Sequence, residues 1–153
     1  AARAAGADQY AHEEFTAAQE ALKHANDAVN DRDYRQGLNY ALDSRERAQN
    51  AAAMAADGKV AARVDADRAI NAATGAVNGL AQKLKTSDPS RRGGSAPRKG
   101  LTDGERALQE ARAAFAKADY LTARKKAVEA SEAVTGANKV LDTSAGAANR
   151  RRR

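Results

Sequence analysis

Three observations predict an all-α fold of two antiparallel helical hairpins. Alanine supplies 41 of the 153 residues, apolar side chains recur at spacings of three and four, and one stretch of the chain repeats. Alanine is the best helix former, and the three-four spacing lays one apolar stripe along a helix. Only 24 large apolar side chains accompany the alanines (9 Leu, 7 Val, 1 Ile, 1 Met, 2 Phe and 4 Tyr), which excludes a conventional large core. Such a composition leans toward disorder. The small net charge of +6 and the alanine filler turn the reading toward closely packed helices instead.

The first helix carries Phe15, Ala18, Leu22, Ala25 and Val29 on one stripe. The returning helix answers with Tyr34, Gly37, Ala41, Ser44, Ala48, Ala51 and Ala55, so large residues face small ones across a heptad-like seam. Asp33 stands where an N-cap would accept the backbone N–H groups that open the returning helix, with Tyr34 packing at the closed end of the hairpin. The small-residue register then continues through Gly58 and Asp65 to Ala69, Ala76 and Gly79, which predicts one helix from about Asp33 to Lys85, roughly 80 Å long. A break near Asp57-Gly58 is the competing reading, since glycine costs about 1 kcal/mol inside a helix. The first helix is too short to cover the stripe Ile70, Val77, Leu80 and Leu84. That stripe needs another cover: the second hairpin, a second copy or a partner protein.

Residues 86–100, TSDPSRRGGSAPRKG, hold both prolines and read as a flexible basic linker. Beyond it, residues 101–142 form the second hairpin, with residues 1–85 as the first domain and 143–153 as a disordered Arg-rich tail. Sliding the chain on itself by 86 residues aligns Phe15–Ala55 with Leu101–Leu141 without a gap, and ten of the 41 positions are identical, Asp33-Tyr34 over Asp119-Tyr120 among them. The seam recurs as Leu101, Gly104, Leu108, Ala111, Phe115 and Ala118 against Tyr120, Ala123, Ala127, Ala130, Val134, Ala137 and Leu141.

Charge and residue types then narrow the function. Residues 1–85 carry 11 basic and 12 acidic side chains and residues 101–149 carry 7 of each, so the positive excess sits in the linker and the tail. Sequence-specific nucleic-acid binding is not expected of helices that are nearly neutral. Arg91, Arg92, Arg98, Lys99 and Arg150, Arg151, Arg152 and Arg153 form a candidate surface for an anionic polymer, an anionic membrane face or non-specific nucleic acid. The absence of cysteine excludes disulfides, thiolate metal sites and thiol catalysis. His12 and His24 read as exposed helix surface, no nucleophile, base and orienter arrangement can be assembled, and no catalytic, cofactor or metal residue is assigned. No run of 18 apolar residues exists to span a membrane. Position 1 is not Met, and removal of a leading segment is expected.

The words GADQYAHEEFTAAQEALKHANDAVNDRDYRQGLNYALDSRERAQNAA resemble an uncharacterised family of bacterial envelope proteins, domain of unknown function 4398. The resemblance lies in Tyr10-Ala11-His12-Glu13-Glu14, the periodicity from Ala18 to Ala25, the Asp33-Tyr34 turn and the Ala41 to Ala48 spacing, with His12 in place of a frequent Pro. It covers about residues 6–56. It implies a periplasmic or lipoprotein-like protein at the inner face of a Gram-negative outer membrane, and it brings no catalytic residue. The sequence therefore predicts a non-enzymatic scaffold or adaptor of the cell envelope that docks an envelope protein, or itself, through Ile70, Val77, Leu80 and Leu84.

Overall fold

A helix of 53 residues organises the chain. The computed structural model describes residues 1–86 and 95–150, and the side chains of the second stretch as far as residue 143. The elements are a 3-10 turn at Arg3–Ala5, α1 (Ala7–Tyr10), α2 (His12–Asn30), α3 (Tyr34–Thr86), α4 (Ala96–Ala116) and α5 (Tyr120–Arg150). The fold is all-α. α3 runs unbroken through Gly58, because the helix-forming residues on either side outweigh a single glycine.

Two compact units divide the chain at 61/62, inside α3. The expected partition at the linker is corrected accordingly: the second part of α3 belongs with the second hairpin, because that is where its apolar stripe is buried. Two boundaries move as well. α4 begins at Ala96 rather than Leu101, since Pro97 in its first turn is pre-set for a helix start, and α5 continues to Arg150 through residues expected to be tail, as their alanines allow.

Both hairpins close through the same device. Arg32 and Ala118, 86 residues apart, take left-handed backbone at φ 65° and 59°. The following aspartates donate their N–H groups backward, Asp33 to the Ala28 carbonyl at 2.9 Å and Asp119 to the Ala114 carbonyl at 3.0 Å, which ends the incoming helix as a Schellman motif. Their carboxylates accept forward from Gln36 N–H at 3.0 Å and Thr122 N–H at 3.1 Å, which starts the outgoing one. One aspartate thus serves two helix ends.

In the first unit α2 lies along the first part of α3. Ala18, Ala21 and Ala25 are buried with Gly37, Ser44, Ala51 and Ala55 opposite, and the buried Ser44 hydroxyl donates to the Ala18 carbonyl at 2.8 Å. The N-terminal residues form a small cluster of their own: Ala2, Ala7 and Ala11 pack with Ala51 and Ala55, bordered by Tyr10, Phe15, Ala48 and Ala52.

The second unit is a three-helix bundle of α4, α5 and the α3 residues from 62 onward. Ile70, Val77, Leu80 and Leu84 are buried among Leu108, Ala111, Ala127, Ala130, Val134 and Leu141. Gly104 lets α4 approach closely, for a Cβ there would stand 2.9 Å from Val134 Cγ2. Arg112 Nη2 donates to Thr74 Oγ1 at 3.0 Å and Lys83 Nζ to Asn138 Oδ1 at 3.1 Å, tying the third helix to both arms of the hairpin.

Candidate docking edge of the first hairpin

The predicted interaction residues Ile70, Val77, Leu80 and Leu84 are not a surface of this chain. They are at most 9% exposed, since the second hairpin covers them, and the expectation that they dock an outside protein is corrected on that ground. Of the predicted anionic-surface residues, Arg98 and Lys99 are exposed on the first turns of α4. Arg91, Arg92, Arg151, Arg152 and Arg153 lie outside the described residues, as does the side chain of Arg150.

The feature missed from sequence is an open apolar edge on the first unit. A two-helix hairpin has two edges, and here they differ in chemistry. One is polar: Arg47 Nη1 reaches Glu14 at 3.6 Å and its Nε bonds Asp43 at 3.0 Å, while the His24 ring stacks at a tilt on Tyr40 with centroids 5.4 Å apart. The hydrogen bond from Arg47 to Asp43, and then the charge of Asp43, raise the guanidinium pKa above its ordinary value.

The other edge is apolar and exposed. Leu22 and Val29 of α2 and Tyr34, Leu38 and Leu42 of α3 show between 48% and 67% of their surface to solvent. The expected packing of Tyr34 at the closed end is corrected, for it is the most exposed of the five. Its repeat equivalent Tyr120 is half-buried and meets Phe115 edge to face at 5.2 Å.

The second unit shows what such an edge looks like when covered. Leu108, the equivalent of Leu22, is 5% exposed against 52%, and Ala127, the equivalent of exposed Ala41, is fully buried. The third helix makes the difference. Thr74, Val77 and Asn78 line one groove with Leu108 and Arg112, Ala81 and Leu84 another with Leu101, and Ala69 and Ala72 a third with Ala127 and Ser131. In the first unit the N-terminal residues border Phe15 and Ala48, the equivalents of Leu101 and Val134. The stretch toward the turn, from Leu22 to Val29 and from Tyr34 to Arg45, stays bare.

Among the described residues no group of three or more His, Asp or Glu is placed to hold a metal ion, and no helix is long and apolar enough to cross a membrane. His12 and His24 are both exposed. No family model, curated protein or solved structure matches the chain.

Proposed function

We propose that this chain is a non-enzymatic helical adaptor of the bacterial cell envelope, docking a protein along the open edge of its first hairpin. The observation that carries the docking is the contrast within the repeat: Leu22, Val29 and Tyr34 are exposed on one hairpin, while their equivalents Leu108, Phe115 and Tyr120 on the other are buried or half-buried. Isolated apolar residues on a surface are ordinary, but a contiguous row beside a seam is the mark of an interaction site. The envelope setting rests on the resemblance carried by residues 6–56.

Photo-crosslinking in cells that express the chain natively tests the reading. A crosslinking side chain at position 38 should trap a discrete protein, whereas one at Glu20, on the face away from the row, should not. Equal or absent trapping at the two positions would remove the docking role.

A further inference from the structure

We infer that the occupant of this edge is a second copy of the chain, the two first hairpins laid face to face as a four-helix bundle; the inference rests on the docking role just proposed. Width is the first argument. In the second unit a single helix covers the hairpin, and Arg124 and Val128 stay exposed beside it. The first hairpin carries Leu38 and Leu42 at those two places, both more than half exposed. One helix seated in the same way would leave both leucines in water, whereas a surface two helices wide covers them together with Leu22, Val29 and Tyr34. A hairpin with one apolar face is half of a four-helix bundle, and the chain's own edge is such a surface.

Area and polarity fit the same occupant. The exposed surface of Leu22, Val29, Tyr34, Leu38 and Leu42 is on the order of 500 Å² per copy, so joining two copies removes about 1,000 Å² from water, the floor for a specific interface. The α2 stripe reads Gln19, Leu22, Asn26 and Val29, where the covered hairpin has Glu105, Leu108, Arg112 and Phe115. Arg112 reaches Thr74 of its covering helix. The amides at 19 and 26 are uncharged, and an amide both donates and accepts, so it can face its own kind across a two-fold axis. On α3 the exposed Arg45 and Glu46 stand side by side, one of each sign, and exposed Lys23 at the outer margin keeps its ammonium in water. Two copies facing each other therefore meet no field of one sign.

The test is sedimentation of the full chain from about 1 μM to about 1 mM. A reversible monomer–dimer equilibrium is expected, with a dissociation constant on the order of 10–100 μM for an interface at the low end of area; in dilute unfolding experiments the edge is then bare. Leu22→Asp and Leu38→Asp should each weaken the dimer at least about tenfold and leave the helical circular dichroism unchanged, since both side chains are exposed in the monomer. Asn26→Lys and Asn26→Glu chains should each associate more weakly than the parent when alone and recover when mixed, the signature of two facing copies. A chain that stays monomeric throughout, an association that both aspartate variants leave intact, or a mixture no tighter than its components would overturn the inference. If position 38 nevertheless traps a different protein in cells, the docking role stands and only the second copy falls; if it traps nothing, both fall.

Discussion

Gly58 shows how a single missing side chain can hold a segment. A Cβ there would lie 2.9 Å from the Tyr10 carbonyl oxygen and 3.2 Å from Tyr10 Cβ, so the neighbour is chiefly backbone and cannot swing aside. Gly58→Ala is therefore expected to leave α3 helical but lift residues 2–10 from their cluster, read as faster amide exchange at Ala7 and Ala11; unchanged protection there would refute the contact. Gly75 and Gly79 are the controls, because a Cβ at either meets nothing within 4 Å. Alanine at each should raise stability by about 0.5–1 kcal/mol in urea unfolding. The sequence makes Gly58 visible as a flaw in a helix. It cannot show that the flaw is a notch, because Tyr10 lies 48 residues away and only the fold brings it there.

At the scale of the element, the hairpin turns were the most legible part of the chain. Asp33-Tyr34 and Asp119-Tyr120 carry their meaning locally, in an aspartate that can bond both neighbouring helix ends, and the structure places it so. The stripes were legible as stripes and not as buried faces: Leu22 and Leu108 are the same residue at the same register, and they part only because a third helix reaches one of them. That difference sets a prediction. Leu108→Ala should cost about 2–5 kcal/mol, the range for a core cavity, while Leu22→Ala should cost less than about 1 kcal/mol. Matched losses in denaturant unfolding would mean that the first edge is covered in solution.

α4 and α5 are also joined by Lys126, whose Nζ lies 2.9 Å from Glu129 and 3.0 Å from Glu110. Hydrogen bonds to Glu129 and then Glu110 raise its pKa above the ordinary 10.5. A raised value means that the pair stabilises the fold fully below pH 10.5 and that the contribution fades as pH climbs through the folded value. Lys126→Met should accordingly flatten the alkaline fall in stability between those limits, and an identical fall in parent and variant would count against the bridge.

For the whole molecule, the decisive fact is that one helix belongs to two units with separate cores. The sequence placed the division at the Pro/Gly-rich linker because composition changes there, whereas contacts change at 61/62, where nothing in the composition does. If α3 couples the units, Ala61→Pro should uncouple them, since proline removes one helical hydrogen bond and clashes with the carbonyl of Asp57 at a cost of about 3 kcal/mol. Calorimetry should then resolve two transitions in place of one; a single transition in the variant would show coupling by another route.

The small size of the side chains at these seams has a thermal consequence. Both cores are lined largely by alanine, so opening them wets less hydrocarbon per residue than opening a core of leucine and phenylalanine. The heat-capacity increment of unfolding scales with that area, and it should fall below the about 12–15 cal/mol/K per residue usual for globular proteins. The stability curve flattens with it. Stability should then vary less with temperature on either side of its maximum, and cooling should weaken the fold less than it weakens a leucine-rich one.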